Sequence, residues 1–204
     1  MANKKNKVKF NICNVHYAKI TVTEEGEVTF ATPVAMPGAV SISMDPTGEP
    51  ESFYADGIEY YVINNNQGYD GDLELAMIPE TFRTNILKEE ADANQVLVEN
   101  ANSETGSFAL LFEFDGDIRK IRHVLYNCSA SRPTIESKTN EEDKEVQTET
   151  LTIKARPMAN GYVKAKTGDA TTESVYNDWY KKVYEPTATV EPQATEKVTK
   201  TVSK

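Results

Sequence analysis

Residues 108–116 read Phe-Ala-Leu-Leu-Phe-Glu-Phe-Asp-Gly, and residues 118–128 read Ile-Arg-Lys-Ile-Arg-His-Val-Leu-Tyr-Asn-Cys. Both runs are rich in aromatic and branched apolar residues, which favour β-strands. The Asp-Gly-Asp sequence at their junction is typical of a turn. The stretch therefore predicts an antiparallel hairpin over residues 108–128, and a third alternating run predicts a return strand over residues 148–156.

The segment between the hairpin and the return strand, residues 129–144, is polar and acidic and has almost no apolar side chains. Such a segment cannot bury a core of its own, and a long loop of this kind in a compact domain is usually functional or disordered. We therefore expect an extended arm at about residues 129–145 that contacts another molecule. A solvated acidic loop remains the alternative for its cluster at 141–145.

Other alternating runs predict further strands. They lie at residues 8–12, 18–22, 28–30, 40–44, 53–63, 73–77 and 96–99. Gly26 and the Asp56-Gly57 pair mark two hairpin turns, because these residues accept a positive φ at low cost. The run at 73–77 alternates apolar residues with Asp72, Glu74 and Ala76, so it predicts a strand with one acidic face.

Two segments show helical rather than strand periodicity. Residues 79–90 begin with proline and glutamate and carry apolar side chains at helical spacing. Val175, Trp179 and Val183 are spaced four apart, with three tyrosines in the adjacent row, and they predict a second helix near the C-terminal end. The predicted fold class is mainly β, an antiparallel β-sandwich or barrel with one or two short α-helices packed on it.

The bulk composition limits the function classes. The chain has 204 residues, a formal net charge of -10 and a sequence pI near 4.8, so phosphate backbones and anionic membranes should repel it. No apolar run reaches the length of about 20 residues that a membrane-spanning helix needs, which predicts a soluble protein. The start of the chain lacks the apolar segment of a signal peptide, so we expect synthesis in a reducing cytoplasm.

No catalytic motif is present in the sequence, and we expect a protein that is not an enzyme and uses no cofactor. His16 and His123 are the only histidines, and each is interpreted as a structural imidazole. A zinc site built from these histidines with Cys13 and Cys128 is the weak alternative, because the spacings do not match those of structural zinc sites. The two Asp-Gly-Asp sequences at 70–72 and 115–117 suit turns better than calcium loops, since later ligands are absent.

The aromatic row around Trp179 allows two interpretations. Aromatic side chains at helical spacing usually pack on their own sheet or on a neighbouring subunit. An exposed row of this kind would instead suit stacking on sugars or bases, which leaves open a virion or cell-surface β-module that binds host carbohydrate.

Several segments resemble the major tail protein, or tail-tube protein, family of long-tailed phages and prophages of Gram-positive bacteria. The resemblance rests on the following sequences: Asn-Asn-Asn-Gln-Gly-Tyr-Asp-Gly-Asp-Leu-Glu at 64–74, the runs at 108–116 and 122–128, Ser-Arg-Pro at 131–133, Thr-Leu-Thr-Ile-Lys-Ala-Arg-Pro at 150–157, and Tyr-Asn-Asp-Trp-Tyr at 176–180. It covers most of residues 1–185, which we expect to form one tail-tube domain. Residues 186–204 are expected to be a flexible C-terminal tail.

The resemblance implies a structural virion protein whose copies form hexameric rings that stack into a tail tube. Its expected partners are other copies of itself and the tape-measure, distal-tail and tail-terminator proteins, while DNA passes through the channel without specific binding. The expected location is the virion tail, after synthesis in the host bacterial cytoplasm.

Two sets of residues follow as hypotheses. The expected inter-ring loop consists of Ser137, Lys138, Thr139, Asn140, Glu141, Glu142, Asp143 and Lys144. The expected lumen-facing residues, taken from strands with acidic alternation, are Asp72, Glu74 and Glu113, because like charge would keep DNA from adhering to the channel wall.

Overall fold

A computed structural model describes residues 5–139 and 145–187 of the chain. The described residues form thirteen strands and two short helical segments. The strands are β1 (Lys9–Val22), β2 (Val28–Phe30), β3 (Val34–Ala35), β4 (Ala39–Thr47), β5 (Glu51–Ala55), β6 (Ile58–Ile63), β7 (Gly68–Leu75), β8 (Glu90–Ala91), β9 (Leu97–Val98), β10 (Phe108–Gly116), β11 (Ile121–Ala130), β12 (Glu149–Arg156) and β13 (Lys164–Lys166). The helices are α1 (Glu80–Phe82), which continues as a π-helical turn over Arg83–Leu87, and α2 (Glu173–Asp178).

One antiparallel sheet dominates the fold. Its strands follow the order β2-β1-β10-β11-β12-β7-β4, with β3 added to β1 and β13 added to β11. The sheet curls until β4 approaches β1 from the other end of this path. The structure thus confirms the predicted mainly antiparallel β-fold with short helices packed on it.

The hairpin of β10 and β11 lies in the middle of the sheet, as the opening stretch of sequence predicts. Phe108 pairs with Cys128 at one end and Phe114 pairs with Ile121 at the other. All of the residues from Phe108 to Phe112 are buried, so β10 is covered on both faces. A strand buried on both faces reads as a continuous apolar run rather than an alternating one, which explains its Phe-Ala-Leu-Leu-Phe sequence.

The larger core lies inside the curled sheet. Leu73 of β7 and Leu151 and Ile153 of β12 are fully buried there, and Phe82 of α1 closes it from one side. Burying each of these side chains contributes about 1.5–3 kcal/mol, so this core supplies most of the stability of the fold. The return strand β12 begins one residue later than predicted and ends at the predicted Arg156.

A smaller core lies on the opposite face of β10 and β11. It is formed by small and branched residues of the sheet together with Trp179 and Val183, which follow α2. Trp179 is only 2 % exposed, and its ring stacks on Tyr184 with the ring centroids 5.4 Å apart. The Tyr126 hydroxyl donates a hydrogen bond to the Tyr184 carbonyl oxygen at 2.9 Å. The aromatic row therefore packs on its own sheet, and Trp179 is not available as an exposed stacking platform.

Three local features differ from the sequence prediction. The two runs at 8–12 and 18–22 belong to one strand, β1, which stays continuous because Asn14 takes a positive φ of 55° where the pairing register with β10 shifts. The first helix is shorter than predicted, since Lys88 takes a left-handed φ of 65° and ends it. Met77 is 72 % exposed because it follows the end of β7.

Candidate functional site

The hairpin of β5 and β6 is the most unusual surface of the molecule. These strands pair only with each other and form a two-stranded sheet apart from the large one. Asp56 and Gly57 connect them with positive φ angles of 53° and 78°, the geometry of a tight hairpin turn. We call residues 51–63 the aromatic hairpin.

Among residues 5–139 and 145–187, no element buries either face of the aromatic hairpin. Every residue of β6 is exposed. Phe53 is 58 % exposed, and Tyr61, its cross-strand partner, is 63 % exposed. Tyr54 and Tyr60 are 65 % and 67 % exposed. An isolated two-stranded hairpin is only marginally stable in water, and an apolar patch of this size usually marks an interaction surface.

A polar surface lies on the outer side of β4, β7 and β12. The pairing register places its side chains in three rows across the strands. The rows are Ser41, Glu74 and Thr150; Ser43, Asp72 and Thr152; and Asp45, Asp70 and Lys154. The opposite side of the same strands carries the buried leucines and isoleucine of the larger core. We call these rows the acidic face.

Neighbouring hydroxyls hold two carboxylates of the acidic face in place. Glu74 accepts hydrogen bonds from the Thr148 and Ser41 hydroxyls at 2.7 Å and 2.8 Å, and these two bonds lower the pKa of Glu74. Asp72 accepts a hydrogen bond from the Thr152 hydroxyl at 2.8 Å. The structure thus brings the sequence-predicted residues Asp72 and Glu74 together on one surface, each held by hydroxyl hydrogen bonds.

One end of the acidic face is neutralised. The Arg156 guanidinium forms an ion pair with Asp70, and this contact lowers the pKa of the Asp70 carboxyl. The negative charge of the face is therefore concentrated at Asp72 and Glu74.

Glu113 does not belong to this surface. Its side chain is 3 % exposed and lies on β10 beneath the C-terminal residues. It accepts hydrogen bonds from Lys120 Nζ at 2.9 Å and Arg122 Nε at 3.0 Å, and the Tyr180 hydroxyl donates to it at 3.3 Å. Burial raises the pKa of Glu113, but the two cations outweigh burial and leave the pKa below its ordinary value. A buried, neutralised carboxylate cannot present charge to a channel, so the lumen assignment of Glu113 is corrected to a structural ion cluster.

Little in the local sequence predicts this cluster. The Arg122 guanidinium lies over the rings of Tyr176 and Tyr180, at 3.8 Å and 5.2 Å from the ring centroids, and so joins β11 to α2 and to the turn after it. The partners of Glu113 lie close to it on the hairpin, but the residues that cover it are more than sixty positions away in the chain.

The expected arm is only partly within the described residues. Residues 131–139 have no regular secondary structure, and Ser137, Lys138 and Thr139 are exposed. Ile135 is fully exposed at 103 %. The other five residues of the expected inter-ring loop, at 140–144, lie outside the described residues.

His123 is half-buried beside aromatic side chains of β10. The His123 ring stacks on Phe112 at 5.1 Å, and burial, followed by the nearby lysines Lys166, Lys164 and Lys9, lowers the pKa of His123 to about 4. The two cysteines are free, and burial raises the pKa of Cys128 to about 12. Across residues 5–139 and 145–187, no group of three or more His, Cys, Asp or Glu side chains is arranged to hold a metal ion.

The depressed pKa of His123 predicts a pH dependence of stability. Because the unfolded chain takes up a proton on this histidine near pH 6.5 and the folded chain does so only near pH 4, stability is lost as the pH falls between these values. Replacing His123 with phenylalanine should remove this loss, so the variant should gain about 2 kcal/mol relative to the wild type between pH 7 and pH 4.5. Urea unfolding at both pH values measures the free energy of unfolding of each protein. An equal loss of stability between pH 7 and pH 4.5 in the two proteins would contradict the placement of His123.

Comparison with known protein families identifies the family of the chain. A family model described as phage tail tube protein matches residues 2–191, and the chain belongs to this family. It is therefore a structural phage tail protein of the virion, in a family whose members assemble with copies of themselves and with other tail proteins.

The comparisons with solved structures and with curated sequences are less informative about the family. Among solved structures, the chain is similar to one described as the cryo-EM structure of the anti-feeding prophage cap, a tube-terminating cap. That likeness has 10 % sequence identity and a TM-score of 0.44, and covers 82 % of this chain and 98 % of that chain. No curated protein sequence matches the chain. Within the described residues, no helix is long and apolar enough to cross a membrane.

Proposed function

We propose that this chain is the subunit of a tail tube in which hexameric rings stack around an acidic channel that conducts DNA during ejection. The observation that carries the self-assembly part of this proposal is the aromatic hairpin. It is an ordered element whose apolar side chains remain in water in the single chain. A second copy that covers these side chains would remove their apolar surface from water, which stabilises the association.

The open edges of the large sheet support ring formation. Among the described residues, β4 pairs with β7 along one edge, and along its other edge this nine-residue strand approaches β1 without pairing with it. Free strand edges invite pairing with another chain, and a closed arrangement of copies removes them. Closure around a ring limits growth sideways, and a head-to-tail contact between rings continues growth along the axis.

The acidic face is our candidate for the channel wall. Asp72 and Glu74 present fixed negative charge on a surface that otherwise carries hydroxyls. Because a DNA duplex is itself densely negative, such a wall repels the backbone and lets the duplex slide. We also propose that residues 129–145 form an inter-ring segment, in addition to the contact made by the aromatic hairpin.

The acidic face yields a direct prediction about DNA. Assembled tubes of an Asp72→Lys and Glu74→Lys double variant should retain short duplex DNA, and wild-type tubes should not. Co-sedimentation of tubes with labelled duplex in buffers of low and high salt measures the retention, which should decline steeply as salt is raised.

The matched control for that experiment is a Glu25→Lys and Glu27→Lys variant. It makes the same change of net charge on the exposed turn between β1 and β2. If both variants retain DNA equally, the acidic face is not the channel wall.

Assembly itself is tested with the purified wild-type chain. Sedimentation velocity and negative-stain electron microscopy over a range of protein concentrations should show rings or tubes with a central channel. A monomer at every concentration would overturn the tube proposal and would favour the carbohydrate-binding alternative. In that alternative, the exposed tyrosines of the aromatic hairpin would face a glycan, and binding to a glycan array would detect it.

A further inference from the structure

The aromatic hairpin is acidic as well as apolar. Glu51, Asp56 and Glu59 are all exposed, and residues 48–63 contain no lysine or arginine. A partner surface must therefore supply apolar contacts and positive charge together, since buried apolar contacts drive association and complementary charges orient it.

One surface of the same chain has that composition. Residues 5–10 contain Lys5, Lys7 and Lys9 and no acidic residue, and all three lysines are exposed. Val8 and Phe10 between them are 49 % and 58 % exposed. We call residues 5–10, together with the adjoining Ile118, the basic strip.

The basic strip is held in a defined conformation. The Asn6 side-chain oxygen accepts hydrogen bonds from the backbone N–H groups of Ile118 and Arg119, both at 3.0 Å. The Asn6 amide nitrogen donates to the Arg119 carbonyl oxygen at 2.6 Å. Asp117 accepts a hydrogen bond from the Lys7 backbone N–H at 2.9 Å. A strip fixed in this way loses little conformational entropy when a partner binds.

The shape and the backbone of the strip suit a hairpin. A cavity of about 450 Å³ opens beside it, bordered by Asn6, Ile118 and Arg119 among others, and can receive an aromatic side chain. Along Lys9–Cys13, β1 pairs with β10 on one edge; β4 approaches β1, but within the described residues it forms no ladder with it, so backbone groups of β1 remain unpaired there. The outer edges of β5 and β6 are unpaired as well, which permits pairing of strands between two copies.

We infer that the basic strip of one copy is the docking surface for the aromatic hairpin of a second copy. This inference rests on the proposed tube function and adds the identity of the receiving surface. The hairpin places its aromatic side chains against Val8, Phe10 and Ile118, and Glu51 and Glu59 face the lysines.

The carboxylates near the strip offset its charge only in part. Asp115 forms an ion pair with Lys120 at 3.2 Å, and Glu113 is buried. Asp117 accepts a hydrogen bond from the Lys7 backbone and keeps its negative charge. Glu173, which with Asp169 borders the cavity beside the strip, forms an ion pair with Arg119. Other exposed apolar side chains, such as Val22 and Val98, do not lie in a segment with three lysines.

A charge-reversal cycle tests this docking. The strip variant is Lys7→Glu with Lys9→Glu, the hairpin variant is Glu51→Lys with Glu59→Lys, and the combined variant carries all four substitutions. Each reversal should raise the protein concentration needed for half-maximal assembly about tenfold, and the combined variant should return to within about threefold of the wild type. A Lys181→Glu and Lys182→Glu variant, which changes the same charge on other exposed lysines, should assemble normally.

The outcomes separate this inference from the function on which it rests. Circular dichroism and thermal unfolding first establish that every variant is folded. If the strip variant assembles normally while the hairpin variant does not, the hairpin docks elsewhere, and the inference fails while the tube function stands. A combined variant that does not recover also overturns the proposed charge pairing. A wild-type chain that never assembles would overturn the tube function and this inference together.

Discussion

Replacing Phe53 and Tyr61 with threonine is expected to abolish tube assembly and to leave the subunit folded. These cross-strand partners expose more than half of their side chains in the single chain. Covering both would contribute about 4 kcal/mol per contact, so their loss should weaken each contact roughly a thousandfold. Threonine keeps the β-propensity of the strands, which preserves the hairpin itself. Sedimentation velocity measures the assembled fraction at matched concentrations.

Two controls accompany that experiment. A Val22→Thr and Tyr162→Thr variant removes two other exposed apolar side chains, at 62 % and 44 % exposure, and should assemble like the wild type. At a protein concentration too low for assembly, thermal unfolding should give the same midpoint for all three proteins. Normal tubes from the Phe53 and Tyr61 variant would contradict the assembly role of the aromatic hairpin.

Replacing Glu113 with alanine is expected to destabilise the fold by about 3 kcal/mol, because it leaves the Arg122 and Lys120 cations without their buried partner. For a domain of this size that corresponds to a fall in the melting temperature of about 6–12 °C. Glutamine at the same position should recover part of the loss, since it still accepts hydrogen bonds. Differential scanning calorimetry measures both.

The comparison with Asp72 makes this prediction specific. Asp72 is exposed and accepts one hydroxyl hydrogen bond, so an Asp72→Ala variant should melt close to the wild-type temperature. If the Glu113→Ala and Asp72→Ala variants were equally destabilised, the buried ion cluster of Glu113 would not be a special source of stability.

The sequence predicted the parts of the fold that depend on local pattern. The hairpin at 108–128 and the return strand at 148–156 follow from alternation and turn residues, and both are present as β10–β11 and β12. The paired acidic residues Asp72 and Glu74 also share one outer surface, because their two-residue spacing fixes the side of the strand on which they lie.

The sequence could not predict features that depend on what covers each element. Glu113 lies between two phenylalanines in a pattern typical of a strand with one wet side, but the helix after position 172 covers that side. The aromatic hairpin reads like any half-buried pair of strands, and only the structure shows that the large sheet does not cover it. The local pattern of residues 51–63 does not contain that information, because exposure depends on distant parts of the chain.

Cryo-electron microscopy of the assembled wild-type protein at side-chain resolution tests the central claim most directly. The account predicts a tube in which the aromatic hairpin of each subunit is buried against another copy and Asp72 and Glu74 line a central channel. An assembly in which the hairpin remains in solvent, or in which these carboxylates lie on the outer surface, would contradict it.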